Sequence, residues 1–549
     1  MKQWLLTVAS LDVGVLGKKL KEIATELRHY PSSWQVLQLR EFKALCEWPS
    51  FGVFMSPVKD YLLSYLKDPS PSVLKILLQW ICFLTRVTLT TGFDQSVDGF
   101  LVTEKRLKDL EISPLWDELR DLLHPIALRY HPTSFRPKLS NGANANVPSQ
   151  LGIWGKVVHG WGFSNLQRYL LWKKGIPTSR EEEVECEPCA KVIFVPKGID
   201  SQRTICEEPV SSMFLQQGIL ESIDDWFSTD IELKRYISLH DQSQQQILAQ
   251  QASDYLNVAT IDLSEASDSV SFRLAEYVFN DTILWEDISL SRTKLALLPT
   301  GEVIELNKFA PMGSAVNFPI ECLIFTGIAL LGCRRCGVHP RLGVYGDDMI
   351  IPLEAEEEIE SLLSHFGFLL NSKKTFWGTE RFKESCGGEY MDGVDVTPTY
   401  ISRKFSASVS SEPTLLSTYT SMANTFFQKH LHTARRALLS LLILPNFPGV
   451  YFNYTAELGL QSLQATNFHL RYRWNKSLQE YEVKSQYLSM SESFVSDDDV
   501  RYFLTLIQYS RCTRSSLLFP QDRLLVELPL PKALVKWHWV VDPGYHPLT

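Results

Sequence analysis

Long hydrophobic runs are missing from this sequence. Its longest apolar stretch, near Ile320–Cys333, falls short of the roughly 20 residues that a bilayer-spanning helix needs. The N-terminal MKQWLLTVASLDVGVLG has only a short apolar run, which Asp12 interrupts, and no small-residue cleavage site follows it. A soluble intracellular protein with no membrane association is the expectation. Internal repeats and low-complexity tracts are also absent, which excludes a repeat architecture. An excess of positive charge is missing too: 54 Lys and Arg face 63 Asp and Glu, for a net charge of −9. That argues against a simple basic nucleic-acid binder. It leaves room for an enzyme that keeps its cations inside a channel.

Cysteine is sparse. Ten are spread over 549 residues, a pattern of reduced thiols rather than a disulfide framework. Two pairs, Cys186/Cys189 and Cys333/Cys336, have the CxxC spacing that could ligate one zinc. Almost 150 residues separate them and neither lies in a Gly-rich knuckle, so ordinary thiols are the simpler reading.

What is present is ordinary globular material, 45% hydrophobic and 21% charged. The length suits three to four domain-sized units, or one large enzyme with subdomains. Residues 1–130 carry apolar side chains at three- and four-residue steps and predict helices. KLSNGANANVPSQ (138–150) predicts a loop, and the acidic EEEVECE (181–187) a solvated one. From about residue 190 the pattern changes. KVIFVPK predicts a strand ending at Pro196, and LNVATIDL (256–263) a short buried strand. Asn317 to Leu331 predicts a core helix. LGVY and DMIIP predict a hairpin turning at Gly346-Asp347, since Gly first in a two-residue turn suits the type II′ geometry that matches strand twist. EAEEEIESLLSHFGF predicts an amphipathic helix with Ile359, Leu362, Leu363 and Phe366 on its apolar face. The expected fold class is α+β.

Two of these strand ends present carboxylates. Asp262 closes one strand, and Asp347 and Asp348 lie at the hairpin tip. If the strands are sheet neighbours, the three acids converge. Clustered acids repel one another, which raises their pKa values unless cations are present. Mg²⁺ takes oxygen ligands and needs few carboxylates when phosphates complete its shell. Two such ions about 4 Å apart activate an attacking hydroxyl and stabilise a leaving oxygen in phosphoryl transfer. A Gly-Asp-Asp triplet by itself is equally a turn, because Asp and Gly favour turns. Asp268, six residues beyond Asp262, reads either as a sugar contact or as the N-cap of the segment carrying Leu274, Tyr277 and Val278.

Taken together the segments resemble the replicase subunit of the single-stranded RNA bacteriophages, the leviviruses. VPKGIDSQRTICEEPVSSMFLQQGI resembles motif F, TIDLSEASDSVS motif A, PMGSAVNFPIECLIF motif B and YGDDMIIP motif C. FGFLLNSKKTF resembles motif D, and FKESCGGEYMDGVDVTPTYI the motif E region. HDQSQQQILAQQAS and SNGA (140–143) also fit. The resemblance is clear over about residues 190–402, while the two ends match mainly by length and order.

The resemblance implies a right-hand polymerase of fingers, palm and thumb, with an antiparallel palm sheet flanked by helices. Residues 1–255 would form the N-terminal region and fingers, 256–400 the palm, and 401–549 the thumb and C-terminal region. It implies RNA-dependent RNA synthesis on template RNA from ribonucleoside triphosphates, with two Mg²⁺ (Mn²⁺ as an alternative) held by Asp262, Asp347 and Asp348. Lys197 and Arg203 would stabilise the triphosphate, and Lys373 or Lys374 would protonate the departing pyrophosphate. Asp268, Gly313 and Asn317 would complete the nucleotide pocket, Gly313 by letting the backbone bend close to the nucleotide. The family's habit further implies host elongation factors Tu and Ts, a ribosomal small-subunit protein and the cytoplasm of a bacterial host.

Two departures stand out. Asp200 occupies a place where family members have a second lysine, so Lys191 is an alternative cation. Asn317 stands where polymerases of this class often have Thr, although Glu321 fits. Outside the motifs, NFHLRYRWNK (467–476) reads as an RNA contact or as an alternating strand with one solvated face. Arg435 and Arg436 flank an apolar helix, and SDDDV (496–500) reads as a cap or loop. A reverse transcriptase on the same palm, or a binding protein whose acidic turn is only a turn, are the competing functions.

Overall fold

The helix Asn317–Cys336 carries apolar residues on every side, and a helix of that kind has to be enclosed. Ile320, Leu323, Ile324, Phe325 and Ile328 are all fully buried. Among the described residues it is the one helix long and apolar enough to cross a membrane, yet 83% of its apolar window lies inside the protein. Its neighbours are the helices Pro114–Ala127 and Glu356–His365 and the strand Gly343–Tyr345. Its end is set by Gly337 at φ +67° and by Arg335, which pairs with Glu118 and Glu358.

The structure is a computed structural model. It describes residues 13–29, 58–83, 85–86, 97–132, 135–139, 142–147, 152–159, 161–176, 187–196, 202–255, 257–401, 414–441, 472–490 and 533–541. Two compact units divide the chain. The first comprises residues 1–81 and 90–398, the second 82–89 and 399–549.

The strands of the first unit are β1 Cys189–Pro196, β2 Gln202–Glu207, β3 Val258–Ile261, β4 Leu263–Ser264, β5 Leu295–Leu297, β6 Val303–Glu305, β7 Gly343–Tyr345, β8 Asp348–Pro352, β9 Leu369–Leu370, β10 Phe382–Ser385, β11 Gly388–Met391 and β12 Val394–Asp395. They form sheets of order β2-β1-β5-β6, β3-β8-β7 and β10-β11-β12, with a small β4-β9 pair. Every pairing is antiparallel except that of β1 with β5. Helices precede and flank them, so the fold class is α+β as the sequence predicts.

The predicted strand 256–263 is in fact two. β3 joins β8 in one sheet and β4 joins β9 in another, and Asp262 is the residue between them. A strand that changes partner leaves its junction residue outside both ladders, free to serve something else. The predicted helix after Ala355 spans Glu356–His365, with Ile359, Leu362 and Leu363 buried. Phe366, just past its end, is buried too.

In the second unit, the helices Thr414–Gln428 and His432–Leu441 pack together through Tyr419, Met422, Phe426 and Leu438. A sheet joins β13 Tyr472–Asn475, β14 Glu480–Met490 and β15 Ala533–Val541, all antiparallel. The segment read as a strand or an RNA contact is the strand β13 from Tyr472 onward. Its Arg473 is held by Glu482 at 2.6 Å and lies over the Trp539 ring. Residues 467–471 and SDDDV lie outside the described residues.

Candidate active site

β7 and β8 form a hairpin closed by the Tyr345–Asp348 pair, leaving Gly346-Asp347 as a two-residue turn. Gly346 adopts φ +62°. A Cβ there would lie 2.6 Å from the Phe318 ring, so the turn needs glycine for its conformation and for its space. The Gly346 N–H points to the Cys322 Sγ at 3.1 Å, which ties the tip to the central helix. β3 runs antiparallel to β8 with Ile261 opposite Met349. Continuing that register by one residue sets Asp262 across from Asp348.

The charges feel one another. Burial, then Asp347 and Asp262, push the Asp348 carboxyl up to about 7. Burial raises Asp262 as well; Lys374 opposes the rise and Asp347 adds to it. The Lys374 ammonium stands 3.5 Å from Asp262 Oδ1 and 3.5 Å from Glu384 Oε1. Glu384 first, and Asp262 after it, hold this lysine above its ordinary value, so here it keeps its proton tightly. Asn371 completes the grip on Asp262, with its side-chain amide on Oδ2 at 2.6 Å.

As the side chains stand, no group of three His, Cys, Asp or Glu among the described residues is close enough to hold an ion. The chemistry of the donors nevertheless suits a hard dication. They are carboxylates whose mutual repulsion a cation would relieve, and a lysine now supplies the positive charge.

Beside the acids lies a polar ledge built on residues 265–269. Ser267 donates to Glu321 Oε2 at 2.9 Å, and Asn317 Nδ2 donates to the Ser267 carbonyl at 3.2 Å. Asn317 and Glu321 are one helical turn apart, so both face this ledge. Burial, then Asp347, push the Glu321 carboxyl up to about 8. Asp268 is not the N-cap of the following helix, where Ser271 stands. Its Oδ1 accepts from the Met312 N–H at 3.4 Å and pairs with Lys308 at 3.3 Å.

Gly313 has φ +133°, and a Cβ there would lie 2.0 Å from the Cys206 carbonyl oxygen. Its glycine is thus required by the approach of β2, whose Cys206 N–H donates to the Met312 carbonyl at 2.8 Å. Arg203 lies exposed on β2 opposite Val195, and Lys191 is exposed on β1 opposite Glu207. Lys197 and Asp200 lie outside the described residues. Lys373 is exposed, and its carbonyl faces His29 Nε2 at 3.4 Å. Of the CxxC pairs, Cys186 is outside the described residues, while Cys189, Cys333 and Cys336 are free thiols.

Residues 164–416 match the family model described as RNA replicase, beta-chain. This part of the chain is similar to that family. The matched region contains Asp262, Asp347, Asp348 and the whole ledge around Asp268 and Asn317. Over 220 residues the chain is 37% identical to the RNA-directed RNA polymerase subunit beta of Qbeta virus (strain MX1), covering 39% of this chain and 36% of that one. It is 38% identical over 213 residues to the RNA-directed RNA polymerase beta chain of Escherichia phage MS2, covering 39% and 37%. The match therefore spans little more than a third of the curated relatives' length. Among solved structures, the RNA-dependent RNA polymerase of a human picorbirnavirus aligns with TM-score 0.34 at 12% identity, over 76% of this chain and 82% of that one.

Several site residues are not evident from sequence motifs alone. Glu384 sits in β10, where its N–H donates to the Thr260 hydroxyl at 3.4 Å, two residues before Asp262. Asn371 and Lys308 lie in or beside the motif segments. Only their tertiary partners single them out.

Proposed function

We propose that this chain is an RNA-dependent RNA polymerase that replicates a viral single-stranded RNA from ribonucleoside triphosphates. The observation that carries the proposal is the convergence of Asp262 with the Asp347-Asp348 hairpin tip, inside the stretch that matches the replicase family. Asp262 and Asp347, with Asp348 beside them, would hold two Mg²⁺. When bound, those ions supply nucleophile activation and stabilisation of the leaving oxygen. Asn371 orients the Asp262 carboxylate, and Lys374 balances its charge with Glu384. Arg203 and Lys197 would bear on the triphosphate, and Asp268 and Asn317 on the ribose. Lys373, exposed and next to Lys374 in the chain, is a candidate proton donor to pyrophosphate, since Lys374 is tied to two carboxylates.

In hand-like terms, residues 256–400 would be the palm, residues 1–255 the N-terminal region and fingers, and residues 401–549 the thumb and C-terminal region. Host elongation factors Tu and Ts and a ribosomal small-subunit protein are the expected partners, in the cytoplasm of a bacterial host. The test is synthesis by the full chain, with any host proteins that co-purify, on template RNA with Mg²⁺ and either ribo- or deoxyribonucleotides. Product from ribonucleotides alone supports the proposal, and product from deoxyribonucleotides would make the chain a reverse transcriptase. Full activity in D347N would refute the metal assignment.

A further inference from the structure

Lys308 is fully buried, which is rare for lysine and needs a reason. Its ammonium is 3.3 Å from Asp268 Oδ1, 3.4 Å from Glu104 Oε1 and 3.8 Å from the centre of the Phe100 ring. Both pairs are close ion contacts without hydrogen-bond geometry at the nitrogen. Of the three charged side chains, Asp268 is the most open, at 12% exposed against 6% for Glu104 and 0% for Lys308.

The helix Asp98–Lys108 braces the same ledge. Thr103 donates to Glu265 Oε2 at 2.9 Å, and Arg106 to Ser269 Oγ at 2.9 Å. Glu104 Oε2 accepts the Asn307 N–H at 2.6 Å, which fixes the acid on the far side of Lys308 and the backbone next to it. Glu265, at the start of the ledge, adopts the left-handed φ of +52°. A non-glycine residue there persists only where its surroundings hold it.

We propose that Lys308 is a positioning residue for ribose selection. It holds the Asp268 carboxylate in one place at the edge of the nucleotide pocket, with Glu104 and Phe100 fixing the lysine from behind. A buried amine with one carboxylate would lean to either side of its cavity; the second acid and the ring leave it one position. The inference rests on the polymerase function proposed above. A replacement of Lys308 frees the Asp268 carboxylate to turn and leaves an unpaired acid at the cavity wall. Sites that reject a substrate lacking a hydroxyl do so through fixed polar partners, so loosening one erodes rejection more than turnover.

The experiment measures kcat/KM for a ribonucleotide and for the matching deoxyribonucleotide, using the full chain with its co-purifying subunits. The variants are K308M, K308Q, K308R, D268N and K308M/D268N. In K308M the ribo/deoxy ratio is expected to fall about tenfold or more, mostly through the deoxyribonucleotide. The double variant should fall no further than D268N, and K308R should keep more of the ratio than K308M. A merely structural lysine would lower both rates together. An unchanged ratio in any folded neutral variant, or additive losses in the double variant, would overturn the inference. If neither K308M nor K308Q folds, a wild-type ratio in D268N overturns it. Wild-type protein that makes no product from either nucleotide would sink the polymerase function itself, and this inference with it.

Discussion

Asn371 holds Asp262 twice: its side-chain amide donates to Oδ2 at 2.6 Å, and its backbone N–H donates to the Asp262 carbonyl at 2.9 Å. The first contact aims the carboxylate and the second fixes the backbone that carries it. Replacing Asn371 by Ala removes only the first. Nucleotide incorporation by N371A should fall about tenfold in kcat, the scale of one lost charge-assisted hydrogen bond. Its melting temperature should move little. An unchanged kcat would show that Asp262 needs no such orientation.

Lys374 is the positive charge between Asp262 and Glu384. In K374Q the acids lose it and lean on added cations instead. The rise in melting temperature on adding Mg²⁺ should therefore be larger in K374Q than in the wild type. Calorimetric scans with and without Mg²⁺ read this directly, and equal rises would show that lysine and metal do not compete.

Gly313 cannot accept a side chain where it stands. With φ +133° and the Cys206 carbonyl 2.0 Å from an added Cβ, G313A must displace β2 or unwind the entry to the central helix. We expect a loss of roughly 3 kcal/mol or more by denaturant unfolding, the range of severe backbone strain and overpacking. A loss below about 1 kcal/mol would show that the turn relaxes freely.

Glu208 is buried, accepts from the Thr293 hydroxyl, and is pushed up to about 7, mainly by burial. The folded state thus binds its proton more tightly than the unfolded chain, whose value is near 4.5. Its contribution to stability is complete below about pH 4.5 and is lost as pH rises through about 7. E208Q removes that loss. Relative to wild type, the variant should gain stability between pH 4.5 and 7.5, by an amount of order 3 kcal/mol. Parallel wild-type and E208Q stability curves over that range would refute the assignment.

Much of the site was legible in the sequence because its signals are local. A hairpin with glycine first in a two-residue turn, flanked by apolar strands, announces itself within eleven residues. β7 and β8 follow that pattern, with Gly346-Asp347 between them. The central helix was equally plain, because Asn317–Cys336 carries a long run of apolar residues with charges only near its ends. Asp268 was the opposite case. Its spacing suited an N-cap, yet Ser271 took that position, and Lys308, forty residues later, is what the carboxylate meets.

Local periodicity and turn chemistry, set by the residues themselves, determined the hairpin, the core helix and the α+β class. The residues of the six motif segments, in their order, carry the resemblance to phage replicases. Tertiary structure decided which charges face one another. It split 258–264 between two sheets and left Asp262 at the junction. It also brought Lys374 and Glu384 to that acid, and buried Lys308 between Glu104 and Asp268. No spacing rule encodes such pairs. The residues lie tens to hundreds of positions apart, and only the packing of the elements between them sets their distance.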